Sequence, residues 1–522
     1  MKADKLIASG VILFVMMLSS GLWGCAPRKL SPAGNYYNST DYNNPLKKTE
    51  NKTQSKALTS KAYAHYMRGL LYERENKVQS ALDEYKIASR YDRDSAKIFI
   101  KLGTAYFKKG DFVNAITQFE KVLEVNPDDT KVRMLLGLIY TSLGNLKQAE
   151  VFYKSALDLD PEDTQARLSL ADLYVLENKI EQAIDIYKSL ADEDINLPYV
   201  YFNLGMLSSQ LNQYDIAINY LEKTLTVSPN YIEAYLGLGL VYELMDENEK
   251  SELSYKKAIE IDPDNALAYF RLGQMYVNKS ILDQALENFL IVIELNPRVV
   301  DAYFEIAHIY LKQDKIDSAI EILNNAEGML RDKSRLYLLL GLAHSLKEDY
   351  AQAENFYKKT IEINPDDELV YFYLGALYEK QGKRKLSKEQ FIKTLKINPN
   401  NADACNYLGY MYVEEGENLD EAVELINKAL QVDPDNGAYI DSLGWAYYKK
   451  GDYSKAMKLL ERAVKALDSD PVIHDHLGDV YFKNGFKEKA RNEWERSLDI
   501  DPEQESIINK IKSLDQEVIQ IN

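Results

Sequence analysis

From Ala62 to Gln504 the apolar positions carry two interleaved periods, one of three to four residues within short stretches and one of 34 residues between stretches. The short period is that of a helix buried along one face. The long one is marked by a small residue at Gly69, Gly103, Gly137, Ala171, Gly205, Gly239, Gly273, Ala307, Gly341, Gly375 and Gly409. One residue is then added in the turn Gly416-Glu417-Asn418, and the marker returns at Gly444 and Gly478. A leucine usually precedes it (Leu102, Leu136, Leu272), a tyrosine usually follows three places on (Tyr106, Tyr140, Tyr276), and the next apolar stretch opens on an alanine (Ala115, Ala149, Ala285). A proline such as Pro127, Pro161 or Pro297 closes most copies, where it ends a helix because it has no backbone donor. Pro198 and Pro471 instead stand where a first helix begins and a missing N–H costs nothing. A constant period of this length leaves room for two helices of about a dozen residues and two turns, so the pattern predicts about thirteen helix-turn-helix units stacked as an all-α solenoid. Residues 505–522 add one more apolar face, Ile507, Ile508, Ile511, Leu514, Val518 and Ile521, expected to be a helix capping the last unit.

Composition changes this picture little. A chain of 522 residues would ordinarily split into several globular domains, but a repeat array grows without a single core because each unit meets only its neighbours. The net charge of -18, with no basic stripe, argues against nucleic acid as a partner. The 39 tyrosines are explained largely by the one repeat position.

The first residues belong to a different pattern. Lys2 and Lys5 precede an apolar run from Leu6 to Leu18 and then SSGLWGC, the layout of an export signal. Leu22-Trp23-Gly24-Cys25 resembles the lipobox of bacterial lipoproteins, which implies cleavage after residue 24 and a lipid on Cys25. Trp23 departs from the small residue usual there, and an uncleaved membrane anchor or a chance cysteine are the other readings. Ala26 in place of an acidic residue favours, by the same resemblance, the outer membrane facing the periplasm. Residues 25–61 are rich in Asn, Ser, Thr, Lys and Pro without apolar period, so they are expected to form a disordered tether. Such a tether reaches roughly 30 to 36 Å. Cys405 then has no partner for a disulfide and occupies a packing position, where a buried thiol is expected.

The marker residues of the array resemble the tetratricopeptide repeat (TPR) consensus over residues 62–504. The resemblance implies a right-handed superhelix whose first helices line a concave groove that binds peptides or partner proteins. Asn406 to Val464 and Asp470 to Leu498 are further similar to the C-terminal block of bacterial outer-membrane TPR lipoproteins, some of which are adaptors for a periplasmic carboxy-terminal processing protease and its cell-wall hydrolase substrates. Other TPR lipoproteins serve assembly of pili, secretins or exopolysaccharide export.

By that resemblance the groove is lined three places before and one after each marker. Phe202, Met206, Phe270, Phe304, Phe372, Tyr410 and Trp445 stand there, Trp445 being the best anchor residue. Either they form an apolar groove for a partner segment, or they pack between repeats. No catalytic motif or phosphate loop occurs. His474, Asp475, His476 and Asp479 are the one group with metal-ligand chemistry, but His474 is at a packing position and His476 is expected to point away from the others. The sequence therefore predicts a non-catalytic adaptor with no cofactor, no metal and no small-molecule substrate, whose partners are proteins or peptides and, through its lipid, a membrane.

Overall fold

A computed structural model describes residues 52–193 and 197–521, with side chains from Thr59 to Leu514. The export signal, Cys25 and residues 26–51 lie outside the described residues. Among those described there are 27 α-helices, one 3-10 turn and no strand, and no helix long and apolar enough to cross a membrane. The chain forms two compact units, one ending at Ile281 and one starting at Leu282.

The first unit holds six helix pairs and the first helix of the seventh, Ala266–Asn278. The second holds Leu282–Leu295, six more pairs and the terminal helix Glu505–Ile521. Within each unit every helix packs on its neighbours in the chain, and first helices of successive repeats also touch. The predicted all-α class and helix-turn-helix repeat are what is found.

Local chemistry sets the ends of these helices. After the closing proline comes an Asp or Asn whose side chain accepts from the next helix's free N–H groups, as Asp129 does from Val132 at 3.1 Å and Asn265 from Ala268 at 3.1 Å. Between the two helices of every repeat one residue is left-handed, Gly110 and Gly144 for example, but also Asn178, Asp246 and Glu348. The added residue of the eleventh repeat is accommodated by a second one, Asn418, just after Gly416. The eighth repeat has no closing proline, and its second helix, Ile316–Ala326, stops early in the 3-10 turn Glu327–Met329.

The small marker residue is explained by what faces it. A large side chain from the second helix, sixteen places on, lies flat against it: Tyr85 on Gly69, Phe119 on Gly103, Tyr255 on Gly239, Trp494 on Gly478. These rings are buried and form the centre of each repeat. The repeated tyrosine buries its ring in these repeats and sends its hydroxyl to a glutamate of the preceding second helix, as in Tyr174 to Glu150 (3.0 Å), Tyr276 to Glu252 (2.9 Å) and Tyr378 to Glu354 (3.0 Å).

One expectation is corrected. The first helix starts at Lys52, about ten residues before the array was placed, because Lys52–Arg74 extends the first repeat backwards into the polar stretch. Its added turns carry Thr, Gln, Ser and Lys, so no apolar period betrays them. His476 pairs with Asp441 of the preceding repeat, outside the group of His474, Asp475 and Asp479.

Candidate interaction surface

Four of the seven expected groove residues are covered by neighbouring repeats. In the first unit Met206 and Phe202 are buried, Phe202 against Tyr231 of the next repeat with ring centroids 5.5 Å apart, while Phe270 is half-buried. In the second unit Phe304 is buried beneath the Arg335 guanidinium at 4.4 Å, and Trp445 is 8 % exposed. Phe372 is half-buried among Tyr373, Phe391 and Tyr407, all within 6 Å between ring centroids. Tyr410 is half-buried too, its hydroxyl pushed up by burial and then by the charges of Glu414 and Asp441. An aromatic side chain at these positions is thus largely spent on repeat-to-repeat packing, and less of it is offered outward than the sequence suggested.

What remains open lies one helical turn farther along the same first helices. Tyr448 and Phe482 are four places after their marker glycines, on the same face as Trp445 and Asp479. With Asp479, Lys483, Trp494, Ser506, Asn509, Lys510, Ser513 and Leu514 they line a cleft of about 360 Å³ between the last two repeats and the terminal helix. Its floor is aromatic and its rim carries amide, hydroxyl and ammonium groups. Extending the groove positions by one turn would have found Tyr448 and Phe482 from the sequence; the contribution of Lys510 required the docking of the terminal helix.

At and behind this cleft lie two polar clusters. Nζ of Lys510 stands 2.6 Å from Asp475 and 2.7 Å from Asp479. Asp479 also accepts from Nε1 of Trp494 at 3.2 Å. Its carboxyl is raised by burial, an effect that Lys510 opposes. One repeat earlier Asp441, 5 % exposed, meets Nδ1 of His476 with both oxygens, at 2.9 and 3.1 Å. His476 and Lys510 occupy equivalent places in successive helices, each reaching back 35 residues to an aspartate. Burial alone would lower the His476 pKa, but Asp441, then Asp475 and Asp479, outweigh it and hold it above the ordinary histidine value.

The His476 ring is stacked on Trp445 with centroids 3.9 Å apart, and Tyr448 is stacked on Trp445 at 4.5 Å. Two rings nearly parallel to a third at these spacings cannot share one of its faces, so the indole is sandwiched. Its Nε1 donates to Glu414 at 2.8 Å. Burial, then the charge of Asp479, pushes the Tyr448 hydroxyl up to about 12.

His474, by contrast, is fully engaged in packing, with Nδ1 on Glu493 at 2.7 Å and Nε2 on the Asp468 carbonyl at 3.0 Å. Among the described residues no group of three or more His, Cys, Asp or Glu is arranged to hold a metal ion.

Five family profiles match the sequence. Four are described as "Tetratricopeptide repeat" and cover residues 100–164, 140–201, 198–231 and 306–500; one, "TPR repeat", covers 247–280. No curated protein matches. Among solved structures, the chain is similar to one in the APC/C hetero-tetramer Cut9-Hcn1, with 16% identity over 88% of this chain and 98% of that one and a TM-score of 0.45. A tetratricopeptide repeat protein from Parabacteroides merdae matches 48% of this chain and 98% of its own at 23% identity and a TM-score of 0.41. Yeast Tom70 matches 88% of this chain and 96% of its own at 19% identity and a TM-score of 0.33.

Proposed function

The chain is a tetratricopeptide repeat protein, and from that premise we propose that it is a non-catalytic scaffold that holds partner proteins on its first-helix face and hangs from a bacterial envelope membrane by a lipid on Cys25. The observation that carries the binding site is the cleft of about 360 Å³ at Tyr448, Phe482 and Trp494, an aromatic floor inside a rim of hydrogen-bonding groups. A bulky apolar side chain of a partner segment fits such a floor, and the rim groups suit the segment's backbone. Phe202, Met206 and Phe304 are spent on packing between repeats, which favours this end of the second unit as the seat. The likeness of residues 406–498 to outer-membrane TPR lipoproteins supports a role in bringing an envelope protease and a cell-wall hydrolase together.

The test is capture from detergent-solubilised envelopes with the full chain, Phe482→Ala and Tyr448→Ala, using Ile216→Ala, an exposed residue of the fifth repeat's second helix, as the control. The cleft variants should lose a partner that the full chain and the control retain; equal capture by all four would overturn the site. Cys25→Ser should release the protein from the membrane fraction, and its retention there would overturn the lipid anchor.

A further inference from the structure

His476 stands directly behind the cleft. Its imidazole is 5 % exposed, its Nδ1 faces the Asp441 carboxylate, and its ring supports the indole on whose other side Tyr448 forms the cleft wall. We propose that His476 is a proton-operated brace: as imidazolium it ties Asp441 to the Trp445–Tyr448 stack and fixes the cleft wall, and on losing its proton it lets that wall loosen. This rests on the reading of the cleft as the binding site, and concerns its regulation.

The charges around the ring make the two states unequal. From the preceding first helix comes Asp441; from its own helix come Asp475 and Asp479; from the terminal helix comes Lys510, which neutralises part of the latter pair. Glu414, from the eleventh repeat, touches only the far edge of Trp445, at Nε1. Lys510 stands on Asp475 and Asp479 and leaves Asp441 to the imidazolium. A neutral His476 would leave a carboxylate that is 5 % exposed beside an uncharged ring, and an uncompensated buried charge is strongly unfavourable. A neutral imidazole still donates Nδ1–H to that carboxylate, but without the positive charge the bond that holds the ring flat against Trp445 is weaker. The path from the proton to the cleft consists of three stacked rings and one hydrogen-bonded pair, a contiguous packed element.

The experiment uses the full chain with 5-fluorotryptophan at its three tryptophans, the Trp445 and Trp494 fluorine resonances being assigned by Trp445→Phe and Trp494→Phe. Both resonances should shift with one common midpoint above the ordinary histidine value, Trp445 because it touches the ring and Trp494 because it lines the cleft. Asp441→Asn should move that midpoint down for both. His476→Phe, which keeps a flat ring, should abolish the shift while circular dichroism shows the helices intact. Resonances that stay fixed through the histidine range, or a midpoint indifferent to Asp441→Asn, would overturn the brace. A Trp445 shift without one at Trp494 would overturn its coupling to the cleft. None of these readouts involves a partner, so the brace can fail while the binding site stands, and the reverse.

Discussion

Gly239 lies so close against the ring of Tyr255 that a Cβ added to it would stand 2.3 Å from Cε1. The ring is wholly buried and its hydroxyl is fixed on Glu243 at 2.6 Å, so it cannot swing aside without breaking that bond. Gly239→Ala should therefore destabilise the first unit by about 1–3 kcal/mol, the usual cost of overfilling a packed core. That outweighs the gain in helix propensity, which is at most about 1 kcal/mol. Gly237→Ala is the comparison: the new Cβ would meet Sδ of Met206 at 3.0 Å, the end of a flexible side chain, and should cost less. Urea unfolding followed by circular dichroism would rank the two variants, and equal midpoints would contradict the packing account.

The left-handed residue between paired helices supplies a second prediction. At Glu348 φ is +62°, a conformation that costs a residue with a Cβ about 1–2 kcal/mol. The equivalent Gly382 and Gly416 bear no such cost. Glu348→Gly should raise stability, by about 1 kcal/mol once the greater freedom of the unfolded glycine is subtracted. A lower urea midpoint for this variant would show that the Glu348 side chain contributes more than its backbone strain removes.

The period, the helix pairs, the prolines and the small marker were legible because each is a local rule repeated thirteen times, and repetition averages away exceptions such as Ser208 or His344. The bulky side chain that presses on most markers, often an aromatic ring, is visible at the same spacing once the structure says to look sixteen places on. The fate of the groove residues was not legible. Phe202 and Phe304 have the composition of a binding face, and whether they are covered depends on how Tyr231 and Arg335 of the next repeat lie over them. The pairing of His476 with Asp441 was hidden for a similar reason, since it joins two first helices across 35 residues, one more than the repeat. The polar start of the first helix, from Lys52, is held by continuity with the first repeat and leaves no apolar trace.

Cys405 is 1 % exposed, its Sγ lies 3.8 Å from the Pro399 carbonyl, and burial pushes its thiol up from the ordinary value. The thiolate is the reactive form, and here both its formation and its access are opposed. In a Cys25→Ser background the native chain should react with a thiol reagent far more slowly than the urea-unfolded chain. Comparable rates would mean that the eleventh repeat opens readily.

The His476–Asp441 pair should make the last repeats the most pH-sensitive part of the array. The His476 pKa is raised in the folded state, so the stability it contributes is fully present below the unfolded histidine pKa and is lost as pH rises through the folded value. Asp441→Ala leaves the histidine buried without its carboxylate, so that it sheds its proton and keeps an unpaired donor, and should cost about 1–3 kcal/mol. His476→Phe removes the charge but keeps a ring to stack on Trp445, leaving Asp441 uncompensated, and should flatten the pH dependence. The double variant should be less damaging than the two costs added, because the second change removes a group the first has already stranded. Since each repeat is stabilised mainly by its neighbours, the loss should appear locally. Hydrogen exchange in Gly437–Lys449 and Pro471–Lys483 should quicken on the alkaline side of the histidine range, while Thr130–Ser142 in the first unit stays protected. Hydroxide catalysis speeds every amide as pH rises, so the comparison is of protection relative to the intrinsic rate, and an equal loss of protection in all three helices would overturn the assignment to this pair.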